Sequence, residues 1–154
     1  GLGAPYWDMY ARGAFFGMTR GTTNAHLARA VLESIDLESC DLFHAMEEDA
    51  GVKIPQLRVD GGASKSRFLM QTQADLNRTV CLPVCLETTA LGAAMMAGLA
   101  VGVWDSLEEL AGLWRSKKTY EPEQDDGYRT YMLKKWHKAV ERCRAWEEED
   151  KEES

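Results

Sequence analysis

The sequence is short of cysteine, of basic charge and of long apolar runs, and each shortage removes a class of protein. Four cysteines in 154 residues, Cys40, Cys81, Cys85 and Cys143, are too few and too scattered for the disulfide framework of a small secreted domain. Eighteen Lys and Arg against 25 Asp and Glu leave a net charge of −7 and a pI near 5.0. Phosphate binding along a nucleic acid needs clustered basic side chains that such a chain rarely spares, so no nucleic-acid partner is expected. The longest low-charge run, Thr88 to Trp104, is rich in Ala and Gly and falls short of a bilayer span. No membrane helix is expected. The opening Gly1-Leu2-Gly3-Ala4-Pro5 carries no initiator Met, basic n-region or apolar h-region, so no export signal is expected and the cytoplasm is the default.

What is present is ordinary globular material. Apolar residues at 45% and charged residues at 28% exclude wholesale disorder and fibrous repeats. A fold of this length hides roughly 68–70% of the surface its unfolded chain exposes, enough for a core without metal or disulfide staples. Cys81 and Cys85 lie in the β-like run Val80-Cys81-Leu82-Pro83-Val84-Cys85. No second pair or nearby His completes four ligands, so they read as small buried hydrophobes. His26, His44 and His137 are isolated from one another and read as helix-surface residues.

Along the chain, turn residues fill Gly1 to Tyr10, and Ala14 to Thr19 is an apolar strand candidate. From Asn24 to Ala50, Leu27, Val31, Ile35, Leu42 and Met46 recur at helical intervals, with Gly51 where a left-handed cap belongs. Gln56 to Asp60 reads as a short strand, and Phe68, Leu69, Thr72 and Leu76 as a helix ending near Asn77. Thr79 to Val84 reads as a strand that tolerates Pro83 only near its end or on an edge. Thr88 or Thr89 is expected to cap a third helix that stops at Gly102. This alternation points to an α/β layer architecture with some parallel pairing. The remainder reads as helical: Ser106 and Glu109 fit a capping box, and a long helix from Asp126 carries Tyr128, Met132, Trp136, Ala139, Cys143 and Trp146 on one face. The charged tail from Glu147 is expected to fray.

One loop carries chemistry. Val59-Asp60-Gly61-Gly62-Ala63-Ser64 joins a strand to a helix. Paired glycines let backbone amides meet a bulky group directly, and a helix start favours phosphate. A tight turn with no ligand would use the same glycines, and the stretch is neither a P-loop nor a dinucleotide fingerprint. Thr89-Ala90-Leu91-Gly92-Ala93-Ala94 offers small residues for close packing or for a hinge between lobes.

Several stretches together resemble the FGGY carbohydrate kinase family. Gly13-Ala14-Phe15-Phe16-Gly17-Met18 followed by His26-Leu27-Ala28-Arg29-Ala30-Val31-Leu32-Glu33 is similar to its second signature. Gly1-Leu2-Gly3-Ala4-Pro5-Tyr6-Trp7-Asp8 with Tyr10-Ala11-Arg12-Gly13 resembles a segment particular to its glycerol-phosphorylating members. Val59 to Ala63, Phe68 to Gln71, Thr89 to Ala94 and Gly98 to Gly102 follow in the family's order and spacing.

The resemblance implies an actin-like, ribonuclease-H-like α/β fold whose two lobes close over ATP and a small polyol, with only the later part of the second lobe present. It implies that residues 1–104 belong to the nucleotide-binding lobe and 105–154 to its C-terminal helical extension. It implies ATP-dependent phosphorylation of glycerol by a longer protein, the substrate being ATP with Mg²⁺ held by groups upstream, along with the catalytic Asp. The present chain alone is expected to be inactive. Gly61, Gly62 and Ala63 match the family's adenosine motif. Ser66 stands where an adenine-contacting Asn is usual, and its hydroxyl cannot offer an amide's paired donor and acceptor. Met9 replaces a common Pro. A kinase for another polyol or sugar, such as xylulose or gluconate, and an α/β interaction module without nucleotide are the competing readings. Strands that have lost neighbours are expected to drive self-association of the chain, and the parent is expected to be a homo-oligomer.

Overall fold

The computed structural model describes residues 1–147. The chain forms two compact units, one made of Gly1–Ile54 together with the segment from Gln124 onward, the other of Pro55–Glu123.

In the first unit the long helix α1 (Asn24–Ala50) runs between the ends its periodicity predicts. Thr23 opens it, with its backbone N–H donating to Nδ1 of His26 at 3.1 Å, and Gly51 closes it at φ 66°, the left-handed conformation that glycine adopts without steric cost. Helix α5 (Asp126–Cys143) is capped by Asp125, whose side chain accepts from the Tyr128 N–H at 2.8 Å. Its interior-facing series Tyr128, Met132, Trp136, Ala139 and Cys143 is half-buried, as expected. The helix ends at Cys143, so Trp146 lies beyond it and is exposed.

Two aspartates fasten the N-terminal turn in this unit. Asp8 accepts backbone N–H groups from Tyr10, Ala11 and Ala145 at 2.9, 3.0 and 2.8 Å, bonds that hold its carboxyl below the usual range, the Ala145 bond foremost. Asp41 of α1 accepts from the Tyr6 hydroxyl at 2.6 Å and from the Trp136 indole N–H, and lies 2.7 Å from Nε2 of His137. Burial and then this carboxylate push the Tyr6 hydroxyl upward. The expected strand at Ala14 to Thr19 is absent. The segment has no pairing partner among the described residues, Gly17 turns it at φ 80°, and Phe15, Phe16 and Met18 instead border a cavity of about 340 Å³ beside Leu27 and Ala30.

The second unit holds a three-stranded sheet in the order β1 (Leu57–Arg58), β2 (Val80–Pro83), β3 (Ser116–Tyr120). β1 and β2 are parallel with Leu57 opposite Val80, and β2 and β3 are antiparallel with Val80 opposite Tyr120. Helix α2 (Arg67–Leu76) crosses between β1 and β2 and packs on the sheet, so Leu69, Met70, Ala74, Leu76, Val80 and Leu82 make the core. Pro83 sits at the last position of its strand, where a missing donor costs least.

β3 corrects the reading of the remainder as helical. Ser116-Lys117-Lys118-Thr119-Tyr120 exposes every residue except Tyr120, an edge strand that lysines keep from pairing further. Helix α3 (Thr88–Ala100) is preceded by Glu87 and has no side-chain cap, so neither Thr88 nor Thr89 plays that part. Helix α4 (Leu107–Gly112) has half of the expected box. Ser106 accepts from the Glu109 N–H at 3.2 Å, while the Glu109 carboxylate takes the N–H of Asp105 rather than that of Ser106. The tail beyond Glu147 lies outside the described residues. Glu147 itself pairs with Arg12 at 3.4 Å.

Candidate functional site

The loop between β1 and α2 collects all four residues singled out from the sequence, Gly61, Gly62, Ala63 and Ser66. β1 extends by one more bond, Val59 N–H to the Cys81 carbonyl at 3.2 Å, and the chain then turns at Gly61 with φ 78°. Ala63–Lys65 forms a single 3₁₀ turn, and Ser66 starts α2.

The adjacent glycines have different reasons to be glycine. Gly61 needs the left-handed backbone that a Cβ disfavours. Gly62 has φ −64° and ψ −42°, open to any residue. A Cβ on Gly62 would meet nothing within 4 Å. Neither turn geometry nor packing within the unit requires glycine at that place. What its absent side chain leaves is an exposed backbone face that a ligand can approach directly.

The loop is braced from beneath. The buried Ser64 hydroxyl donates to the Gly61 carbonyl at 2.6 Å, and the Ser66 N–H donates to the Ala63 carbonyl at 3.0 Å. Ser66 is also the N-cap of α2, its hydroxyl oxygen accepting from the Leu69 N–H at 3.3 Å. That bond ties up a lone pair on Ser66 and leaves its proton as the group it can offer a base. Sequence reading missed the role of Ser64, although a serine three residues after a left-handed glycine is the signal for such a brace.

The second stretch of small residues, on α3, is less enclosed than close packing predicts. Gly92 has nothing within 4 Å of its Cβ direction, whereas a Cβ on Gly98 would overlap the Trp104 ring. α3 and α4 both border a cavity of about 600 Å³, lined by Arg58, Val84, Met95, Leu110 and Trp114 among others, with the Arg58 guanidinium 4.1 Å over the Trp114 ring. Cys81 is buried, its thiol donating to Oε1 of the Gln56 side chain at 3.4 Å, whereas Cys85 is exposed, which corrects its reading as a buried hydrophobe. No group of three or more His, Cys, Asp or Glu among the described residues is arranged to hold a metal ion. Among the same residues no helix is long and apolar enough to cross a membrane.

Comparison with known proteins places the chain in a family. Residues 1–101 match the sequence profile described as the FGGY family of carbohydrate kinases, C-terminal domain. A glycerol kinase of Clostridium beijerinckii is 55% identical over 97% of this chain, which spans 30% of that relative's length. Among solved structures, a glycerol kinase of Plasmodium falciparum determined with ADP superimposes with a TM-score of 0.84 at 38% identity, covering 93% of this chain and 29% of that one. A ligand-bound xylulose kinase of Lactobacillus acidophilus gives a TM-score of 0.69 at 27% identity, covering 90% of this chain and 28% of that one. The fold is that of the actin-like, ribonuclease-H-like α/β kinases, represented by part of the C-terminal lobe.

Proposed function

The chain belongs to the FGGY family of carbohydrate kinases, and on that premise we propose that it is the C-terminal, nucleotide-binding portion of an ATP-dependent glycerol kinase that converts glycerol to glycerol 3-phosphate. The observation that carries this reading is the gap between two comparisons: 38% identity and a TM-score of 0.84 to a glycerol kinase against 27% and 0.69 to a xylulose kinase. Residues 1–104 are the later part of the nucleotide lobe and 105–154 its C-terminal extension.

Phosphoryl transfer asks a protein to hold a γ-phosphoryl in line with a hydroxyl, balance its charge and exclude water. The chain's share of this task is positioning. Gly62 and Ala63 offer backbone to the adenosine side of ATP, Gly61 sets the turn, Ser64 stiffens it, and Ser66 gives a single hydroxyl toward the base. On this reading the groups that would hold Mg²⁺ with the nucleotide, and the catalytic carboxylate, lie outside this chain, so the chain alone is inactive. A net charge of −7 is compatible with ATP because amides and a helix start do the holding, and it disfavours nucleic acid as a partner. The working compartment is the cytoplasm, with no membrane partner, and the chain self-associates, as does its parent.

The test is Gly62→Arg in the full-length protein. Because a side chain there meets only open space, the fold should persist while KM for ATP rises at least tenfold and KM for glycerol stays within twofold. Unchanged ATP affinity would overturn the site and leave a non-nucleotide interaction module as the reading. Xylulose is the specific second substrate to assay, since a xylulose kinase shares the fold; a kcat/KM for xylulose above that for glycerol would overturn the substrate.

A further inference from the structure

The peptides of the glycine loop are each held by a hydrogen bond, and they differ in where that bond comes from. The peptide entering Gly61 is held through its N–H, which donates to the Leu86 carbonyl at 3.4 Å. Those leaving Gly62 and Ala63 are held through their carbonyls, by the N–H groups of Lys65 at 3.2 Å and Ser66 at 3.0 Å. The Gly61–Gly62 peptide has no backbone partner of this kind. Its carbonyl accepts from the Ser64 hydroxyl at 2.6 Å, and its N–H, on Gly62, has no partner among the described residues.

That peptide is also the one freest to turn over. A trans peptide is rigid and planar, so its carbonyl and its N–H point in opposite directions. Turning the plane by half a revolution exchanges the two, and it changes only ψ of the residue before and φ of the residue after. Where both are glycine, no Cβ resists either change. Ser64 is 2% exposed while Gly61 and Gly62 are exposed. A hydroxyl reaching the Gly61 carbonyl from the buried side therefore turns the Gly62 N–H outward. The bond lies wholly inside the second unit, so no exposed face is needed to maintain it.

We propose that Ser64 is a positioning residue for the nucleotide: its hydroxyl selects the peptide orientation in which the Gly62 N–H is a preset donor to an acceptor oxygen of ATP. This rests on the reading of the loop as a nucleotide site, and it adds the group that determines which way the loop's free donor faces. Without the hydroxyl both orientations are populated, and apparent affinity for ATP falls in proportion to the fraction that remains competent. Ser64 does not touch the reacting atoms, so turnover of the saturated complex is unchanged.

Steady-state kinetics and ADP titration of the full-length protein test this with Ser64→Ala, Ser64→Cys and Gly62→Arg. Ser64→Ala should raise KM for ATP and Kd for ADP about fivefold, the scale of one neutral hydrogen bond. Its kcat and its KM for glycerol should stay within about twofold, the pattern of lost binding rather than lost chemistry. Ser64→Cys, with a weaker donor in nearly the same volume, should show a smaller rise of about threefold, again for the nucleotide alone. Should the alanine variant fail to fold, the cysteine variant decides by the same criterion. An unchanged KM for ATP, or a loss spread equally over kcat and both substrates, would overturn the positioning role. Gly62→Arg separates that result from failure of the site. A rise there beside an unchanged Ser64→Ala overturns Ser64 and leaves the loop as the nucleotide site, whereas no rise in either variant overturns the site and the proposal with it.

Discussion

Helices α2 and α3 belong to the same unit and differ in how much of themselves they bury. α2 is amphipathic, and seven of its ten residues are buried. α3 is the more apolar helix, yet of its thirteen residues only Gly98 is buried. Hydrophobicity therefore does not decide burial here; the available partner does. α2 lies on the three-stranded sheet, and even its polar groups are answered, as with Asp75, which accepts from the Gln71 amide at 3.0 Å and the Glu123 N–H at 2.7 Å. α3 presents Leu91 and Met96 outward in a chain that spans 30% of a relative's length.

The largest effect that could break this comparison is truncation on the buried side. Leu76 is 1% exposed, and Leu76→Ala should cost about 2–5 kcal/mol in urea unfolding, the range for a core cavity. Met96, 51% exposed on α3, should lose no more than about 0.5 kcal/mol on becoming Ala. Equal losses at the two positions would end the distinction.

A buried carboxylate without Asp75's partners should behave in the opposite way. Asp36 of α1 is 2% exposed, its Oδ2 has no hydrogen-bond partner among the described residues, and burial, followed by the nearby Glu33, pushes it up to about 7. The folded state then holds a proton that the unfolded chain releases near pH 4. Stability falls as pH rises from about 4 to about 7, by up to about 1.4 kcal/mol per unit. Asp36→Asn should flatten that slope and stabilise the protein above pH 7; an unchanged pH profile would show that the carboxyl is solvated.

The finest contrast lies within α3. Gly98→Ala collides with Trp104 and should cost about 1–2 kcal/mol. Gly92→Ala, with open space around it, should be neutral or stabilising by a few tenths, since alanine is the better helix former. Equal melting temperatures for the two variants would mean that Trp104 does not rest on α3.

Much of this was legible without coordinates. The limits of α1, its Gly51 cap, the start of α5 and the end of α2 near Asn77 follow from periodicity and capping residues, which act within a few positions. The strand at Ala14 to Thr19 and the helical reading of Ser116 to Tyr120 failed for one reason: pairing decides a strand. An apolar run without a partner stays unpaired, and a polar run beside β2 becomes β3. The Asp41 cluster was invisible because Tyr6, Trp136 and His137 stand 35, 95 and 96 residues from it.

The glycine loop divides in the same way. The sequence by itself determined that Gly61-Gly62-Ala63 joins a strand to a helix and that the chain is acidic with an α/β order, since these depend on residue type and local spacing. Only the tertiary structure decided that Gly61 is glycine for its φ and Gly62 for the open space before it, and that α1 and α3 keep apolar faces outward. Backbone angle, free volume and burial are properties of what surrounds a residue, and neighbours distant in the chain supply them.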